Sequence, residues 1–302
     1  MNDLALKHDT TKLESVLQTL IDLTNKDMYD PFKELVWPEH LDDGTRYWMS
    51  PALMSIHNTE MTEILTEEQK IRLSKWETVN FYSLNVTGIR ELLIEMTARL
   101  HTPGFEILSE YLHLLIAEEN EHMWYFSKFC LKYAGKIYPD RAISANDLQE
   151  ADLMNLLLFI RILVFEEIVD FYNRKMGKDQ TLPEFVQEIN WLHHVDEGRH
   201  IKYGRMYIET MYEQIKEKYS YERLRQFENV IKVFMQISVQ KLYRREMYMD
   251  AGIDEPGKLR KLLMAHEGRE EFNRSLISGT AKFFTKIGMF ESDDVWEMAE
   301  AA

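Results

Sequence analysis

Residues 153–175, LMNLLLFIRILVFEEIVDFYNRK, form a segment that is apolar on almost every side when it is wound into a helix. A helix of this kind has to be buried, so the rest of the chain must surround it. Glu166 and Glu167 lie within the apolar run, where an unpaired carboxylate is strongly unfavourable. Metal coordination would satisfy such a carboxylate, and an ion pair with an arginine such as Arg161 is the alternative.

The remaining sequence reads as long helical patterns separated by small clusters of glycine and proline. No strand-like alternation and no Asn-Gly hairpin signal stands out, so the chain is predicted to be all-α. Four middle helices, which look like two similar hairpins, are predicted at about 66–100, 103–133, 146–175 and 181–211. Further helices are predicted at about 10–26, 220–248 and 267–286. Residues 27–57 are predicted to be ordered but irregular, and residues 1–302 to form a single domain.

These boundaries depend on residues that favour helix ends. The signals are two capping boxes, one N-cap followed by proline, and two terminal glycines: Thr66 with Gln69, Thr181 with Glu184, Thr102 with Pro103, Gly135 and Gly177.

Composition excludes several functions. The formal net charge of −15 argues against a nucleic-acid partner, which would select a basic patch, and disfavours an anionic membrane surface. Cys130 is the single cysteine, so neither an intramolecular disulfide nor a thiolate cluster can form, and we expect it to be a small buried hydrophobe rather than a redox thiol. No signal peptide and no apolar run of about 18 residues is evident. We therefore expect a cytoplasmic protein without a membrane partner.

Histidine and glutamate recur at helical spacing in two of the middle helices. His193, Glu197 and His200 fall on one narrow stripe of the fourth helix, whereas His194 points about 100° away. Glu119 and His122 form a Glu-x-x-His motif in the second helix. One such match is weak evidence, because a polar helix face gives the same pattern. Two matches in different long helices favour a metal site.

Four-helix bundles that hold two metal ions take Glu-x-x-His from two helices and one glutamate from each of the other two. The third helix offers Glu166, with Glu167 as the alternative, and the first offers Glu91 in preference to Glu95. Glu91 precedes Glu119 by 28 residues and Glu166 precedes Glu197 by 31, so both hairpins place their glutamates at similar heights. Four glutamates would neutralise two divalent cations. Oxygen and imidazole ligands suit iron or manganese.

Residues next to these candidates suggest supporting roles. Glu118 and Asp196 each precede a candidate glutamate, and they are expected to orient a histidine ring across the bundle unless they are solvated surface acids. Gly88 and Gly198 lie within a turn of two candidates. They would leave room for dioxygen or substrate, or would simply permit close helix packing.

The motifs RELLIE, AEENEH, FEE and HHVDEGRH together resemble those of the para-aminobenzoate N-oxygenase family of ferritin-like di-iron proteins, over roughly residues 66–250. The third histidine, His193, is the most specific sign. The resemblance implies a ferritin-like four-helix core at about 66–215 with additional N- and C-terminal helices. It also implies seven metal ligands, listed in chain order: Glu91, Glu119, His122, Glu166, His193, Glu197 and His200.

The resemblance also bears on the substrate. Val86 stands where the family has an arginine for an arylcarboxylate, and Asp170 replaces a neutral amide. A substrate pocket that includes Val86 and Asp170 would suit an aliphatic amine or an amino acid better than an arylcarboxylate.

The leading hypothesis is an oxygenase of secondary metabolism. Two iron ions would reduce dioxygen to a bridging peroxide, which oxidises the nitrogen of a small-molecule amine to a hydroxylamine or further, with electrons from an external donor. Manganese could replace iron on purification, and a homodimer is possible. The alternatives are a di-iron enzyme that hydroxylates or desaturates carbon, an iron-binding or storage protein, and a metal-free helical interaction protein.

Overall fold

The computed structural model describes residues 11–26, 29–140 and 148–298, and every regular element in these ranges is helical. The all-α prediction is therefore confirmed. The helices are α1 (Thr11–Lys26), α2 (Pro31–Glu34), a 3-10 turn (Pro51–Leu53), α3 (Met61–Ile64), α4 (Glu67–Thr97), α5 (Ser109–Ala134), α6 (Ala151–Met176), α7 (Glu184–Ile215), α8 (Tyr221–Lys241), α9 (Arg245–Asp250), α10 (Pro256–Ala265) and α11 (Glu267–Lys286). None of the described helices is long and apolar enough to cross a membrane.

Several helix ends agree with the sequence. The capping box of α4 is present, with the Thr66 hydroxyl accepting from the Gln69 amide and the Gln69 side chain accepting from the Thr66 amide. Helix α5 ends at Gly135, whose positive φ of 73° suits glycine. Helix α11 has the bounds predicted for it.

Two other helix starts predicted from the sequence were wrong. Thr102 does not cap α5: its hydroxyl donates to the Arg99 carbonyl, and six further residues pass through turns before α5 begins at Ser109. Thr181 does not cap α7 either, because its hydroxyl is bonded to Asp179. The predicted start of the third helix at residue 146 lies outside the described residues, and α6 is described from Ala151.

The remaining differences concern the flanking regions. The helix predicted over residues 220–248 is two helices, because the chain breaks after α8 and resumes at Arg245 as α9. Helix α10 was not predicted. The segment at 27–57, of which residues 27 and 28 lie outside the described ranges, is largely irregular and contains only α2 and the 3-10 turn.

Helices α4 and α5 form one long hairpin, and α6 and α7 form the other, as the predicted four-helix core requires. Across the two hairpins, α5 packs antiparallel to α7, since Phe126 meets His193 at one end and Tyr111 meets Tyr203 at the other. Helix α6 is further covered by α8 and α11. This cover explains the apolar circumference of its sequence. Some of the buried polar residues of the core, among them Glu119, Glu166 and His193, lie where the two hairpins meet.

Cys130 of α5 is fully buried, and burial raises the pKa of its thiol to about 12. The thiol is therefore protonated at neutral pH and behaves as the small hydrophobe expected from the sequence.

Candidate metal centre

Six of the seven predicted ligands meet between the two hairpins. They form two groups that share Glu197: His122 with His193 and Glu197, and Glu119 with Glu166, Glu197 and His200. Within each group the candidate ligand atoms lie within 4.8 Å of one another. All six residues are at most 2% exposed. Each group could hold a metal ion, and Glu197 belongs to both groups.

Helical periodicity explains why these side chains converge. Glu119 and His122 are one turn apart on α5, and His193, Glu197 and His200 occupy two successive turns of α7. Because α5 and α7 run antiparallel, the two stripes face each other along their length. Helix α6 supplies Glu166 from the side.

The atoms that point into this space lack hydrogen-bond partners among the described residues. Seven buried atoms of the six side chains are unsatisfied: Glu119 Oε1, His122 Nδ1, Glu166 Oε1 and Oε2, His193 Nε2, Glu197 Oε2 and His200 Nδ1. Some lie very close together, such as His200 Nδ1 at 2.9 Å from Glu119 Oε1, without hydrogen-bond geometry. Buried polar atoms are rarely left unpaired, so a set that converges on one space fits metal ions there.

The outward ring nitrogens of two histidines are held by carboxylates. His122 Nε2 lies 3.1 Å from Asp196 Oδ2, and His200 Nε2 lies 2.9 Å from Glu118 Oε2. Each contact joins α5 to α7. Glu118 and Asp196 are the two residues that the sequence predicted to orient a histidine ring across the bundle. The carboxylate fixes the N–H on the outer nitrogen, which leaves the inner nitrogen with its lone pair available to a metal.

The outer ring nitrogen of His193 contacts a side-chain amide instead of a carboxylate. Its Nδ1 contacts the side-chain nitrogen of Asn173 on α6, while the Asn173 oxygen is buried without a partner. Amide oxygen and nitrogen are assigned from the hydrogen-bond network, and exchanging them lets the oxygen accept from the His193 ring. All three histidines then present one lone pair to the centre. The sequence motifs did not reveal Asn173, because its only signal is its position seven residues after Glu166 on the same helix face.

Arg199 links the two supporting carboxylates and was also missed from the sequence. Its Nη2 donates to Glu118 Oε1 and to Asp196 Oδ1, both at 2.5 Å, and the residue is 8% exposed. One guanidinium therefore connects the partner of His122 to the partner of His200. The available signal was an arginine inside the motif DEGRH, three residues after Asp196.

The structure separates adjacent residues that the sequence left ambiguous. Glu167 points away from the centre and accepts from Arg205 Nε at 2.7 Å and from the Thr280 hydroxyl at 2.6 Å, whereas Glu166 faces the centre. His194 lies outside both groups and contacts Asp170 at 2.5 Å. Asp170 is therefore engaged with His194, and Val86 is buried in α4.

Glu91, the seventh predicted ligand, is not in either group. Its carboxylate lies 3.8 Å from the guanidinium of Arg161, and its side chain is 32% exposed. Tyr82 marks the α4 face that meets α5 and α7, through Phe126 and Asn190. Glu91 follows Tyr82 by nine residues, which corresponds to ~180° of rotation. The geometry gives no support to metal binding by Glu91, which stays a prediction from the sequence.

We expect Glu91→Gln to retain the full metal content of the wild type, because its carboxylate is on the opposite face of α4. Metal per chain, measured on purified protein by atomic emission, tests this. A loss of half or more of the metal would show that α4 supplies a ligand after all.

Burial and neighbouring charges shift the pKa values of the side chains in the centre. Burial, followed by the nearby Glu197 carboxylate, raises the pKa of Glu166 well above its usual range. Burial alone would lower the pKa of His122, but Asp196 and Glu119 outweigh it and raise that pKa to about 10. Protons thus compensate the carboxylates in the metal-free protein. Metal ions would displace these protons.

Two divalent cations would neutralise the centre without Glu91. Arg199 compensates one of five carboxylates, which leaves four negative charges for the two cations to balance. The five carboxylates are Glu118, Glu119, Glu166, Asp196 and Glu197. A neutral cluster can be buried at lower cost than a charged one.

Three tyrosines surround the centre with buried hydroxyls that have no partner among the described side chains: Tyr111, Tyr125 and Tyr203. Tyr125 lies beside His122, with ring centroids 5.6 Å apart. The two glycines near the centre differ from each other. A Cβ on Gly88 would lie 2.8 Å from the Phe165 ring, so Gly88 permits close packing. A Cβ on Gly198 would contact no described residue within 4 Å apart from its chain neighbours and the backbone of its own helix.

Three carboxylates and three imidazoles, buried between antiparallel helices, define a carboxylate–histidine site able to hold metal ions in an all-α protein. The chain belongs to the family described as p-aminobenzoate N-oxygenase AurF, whose family model matches residues 10–288. The match extends beyond the residues 66–250 that carry the motifs. No curated protein matched the chain. The protein is therefore a member of an oxygenase family.

Proposed function

We propose that this protein is a di-iron oxygenase that oxidises the nitrogen of a small-molecule amine or amino acid. The main support is the set of seven unsatisfied buried atoms of the candidate ligands, which belong to three helices. The chain that carries them is a member of an N-oxygenase family. Three imidazole nitrogens and three carboxylates are ligands that suit iron, with manganese as the closest competitor. When bound, the irons would supply activation of dioxygen, with electrons from an external donor.

The protein's own residues would hold the ligands and keep water away. Glu197 belongs to both groups, so its carboxylate would help to hold a cation in either of them. Asp196, Glu118 and Asn173 would fix the ring orientations of the three histidines. A site whose geometry is held in advance needs no rearrangement during the reaction.

Aromatic side chains enclose the site on the α5 side. Phe126 packs edge-on against His193 with ring centroids 5.0 Å apart, and Tyr125 covers His122. Exclusion of water protects a reactive oxidant from reacting without substrate.

Oxygen uptake by the iron-loaded enzyme tests the proposal. With a chemical reductant and a panel of amines, we expect uptake to be stimulated by particular amines and to yield a product that carries one or more oxygen atoms on nitrogen, identified by mass spectrometry. His122→Ala should abolish this activity, and His113→Ala, an exposed histidine on the same helix, is the matched control. A product oxygenated at carbon would instead establish a hydroxylase. Absence of bound iron in protein purified under iron-rich conditions would exclude the di-iron assignment.

A further inference from the structure

Asn85 of α4 has a buried side-chain amide whose oxygen lacks a partner. The residue is 0% exposed, and its side-chain nitrogen donates to the Phe81 carbonyl at 2.9 Å. A carbonyl can only accept, so this bond identifies the nitrogen and, with it, the oxygen of the amide. The oxygen accepts no hydrogen bond from any described residue. Buried polar atoms are rarely left unpaired, so Asn85 Oδ1 needs a partner that the described side chains do not supply.

The rotation of Asn85 about α4 directs it into the four-helix core. Tyr82 lies on the face of α4 that meets α5 and α7. Phe81 lies on the side that meets α6, because its ring stacks on Tyr172 with centroids 4.9 Å apart. Relative to Tyr82, Phe81 is rotated by ~100° and Asn85 by ~60° in the same sense. Asn85 therefore lies between these two sides and faces the three helices that supply the six candidate ligands.

The height of Asn85 along α4 matches that of two candidate ligands. Helices α4 and α7 run parallel, because each is antiparallel to α5. The Tyr82 hydroxyl accepts from the side-chain amide of Asn190 on α7 at 2.6 Å. Three residues further along each helix, a rise of ~4.5 Å, are Asn85 on α4 and His193 on α7. The His122 ring lies against that of His193, with centroids 4.3 Å apart. Asn85 is thus level with both histidines.

These two histidines belong to the smaller of the two ligand groups. The larger group has three carboxylates and one imidazole, whereas the smaller has two imidazoles and Glu197, which it shares with the larger. The smaller group is therefore one ligand short of four, and no acidic residue of α4 belongs to either group. Side-chain amide oxygens of asparagine are established ligands of divalent cations in proteins. An uncharged oxygen from α4 would complete the smaller group.

We propose that Asn85 is the ligand that α4 contributes to the centre, and that its side-chain oxygen binds the ion held by His122, His193 and Glu197. The proposal rests on the di-iron site of the proposed function. It assigns to an uncharged amide the part that the sequence assigned to Glu91. The five carboxylates and one guanidinium around the centre already balance two divalent cations, so a neutral ligand preserves that balance and a further glutamate would not.

The two ions should then bind with unequal affinity. The ion of the larger group would have three carboxylates around it, whereas the ion of the smaller group would have one carboxylate and neutral ligands. Affinity for divalent cations rises with the charge of the ligands. We expect metal-free protein to bind two Mn²⁺ in two steps, the second at least ~tenfold weaker than the first.

Titration of metal-free protein with Mn²⁺, measured by isothermal titration calorimetry, tests the assignment without turnover. Asn85→Leu has a similar branched shape but no oxygen, and it should weaken the second step by roughly tenfold or more while leaving the first unchanged. Asn85→Asp should strengthen the second step several-fold, because it presents a charged oxygen to the ion. The same variant should lower the thermal stability of the metal-free protein, in which one more carboxylate is buried. A residue that only packs the core would not change affinity and stability in opposite directions.

Asn80→Asp is the matched control, because it makes the same chemical change in another buried asparagine of α4. The Asn80 oxygen accepts from Arg244 Nε, and its nitrogen donates to the Lys241 carbonyl, so its amide is already satisfied away from the centre. Both Mn²⁺ steps should be unchanged in this variant. Circular dichroism confirms that each variant is folded, and Asn85→Asp alone decides the test if Asn85→Leu does not fold.

An unchanged second step in folded Asn85→Leu or in Asn85→Asp would overturn the assignment, as would binding of a single Mn²⁺ by the wild type or loss of the second step in Glu91→Gln. The oxygenase assay is a separate result. If the variants of Asn85 shift the second step as expected but the iron-loaded protein oxidises no amine, the ligand stands and the proposed function fails. If amines are oxidised while Asn85→Leu binds both ions like the wild type, the proposed function stands and this assignment fails.

Discussion

Glu166→Gln is expected to lose metal and oxygenase activity while the metal-free variant stays at least as stable as the metal-free wild type. The carboxylate is 1% exposed, both of its oxygens are unsatisfied, and it lies with Glu119 and Glu197 in one group. An amide of the same shape removes one negative charge from that group and cannot bind a cation as strongly. Loss of a carboxylate that binds the metal directly should lower metal affinity by more than the roughly 10- to 100-fold that is typical for supporting contacts.

The neighbouring residue provides the control for this experiment. Glu167→Gln changes the same functional group one position along α6, where the carboxylate bonds to Arg205 and Thr280 instead of facing the centre. It should keep its metal and lose some stability. Metal titrations and thermal unfolding of the two metal-free variants give both quantities. Equal metal loss in the two variants, or retention of metal by Glu166→Gln, would contradict the placement of Glu166.

Arg199→Met is the second substitution with a large expected effect. The guanidinium holds Glu118 and Asp196, each of which holds a histidine ring, so its removal frees two histidine partners at once. Metal affinity should fall by roughly 10- to 100-fold although no ligand has been changed. We therefore expect Arg199 to act as a positioning residue.

A competitive chelator titration measures that affinity, and thermal unfolding of the metal-free protein separates positioning from folding. Arg199→Lys should recover part of the affinity, because lysine restores the charge but cannot match the fixed donor geometry of arginine. If the affinity of Arg199→Met falls only in proportion to a loss of folded protein, the residue has a purely structural role.

Much of the candidate site could be predicted from the sequence, because helical periodicity fixes which residues share a face. His193, Glu197 and His200 needed only the rotation per residue, and the buried position of Glu166 followed from the apolar run around it. The all-α class followed from the same periodicity.

Other features depend on how helices are rotated against each other. Hairpin spacing predicts the height of Glu91 along α4 but not its face, and in the structure its carboxylate lies 3.8 Å from Arg161 and belongs to neither ligand group. Arg199 and Asn173 act through contacts between helices, which no spacing within one helix reveals. Thr102 followed by proline looked like a helix start, but its hydroxyl bonds back to the preceding turn.

The division of the centre between two hairpins has a consequence for how the protein matures. Each hairpin brings together residues that are near in sequence, so each can form early, whereas the centre exists only after α5 has docked against α6 and α7. Ions that bind the docked state alone shift the docking equilibrium towards it by mass action. Metal supply would thus regulate the lifetime of the folded protein as well as its enzymatic activity. In a chain made without metal, proteolysis would begin at the contact between the two hairpins.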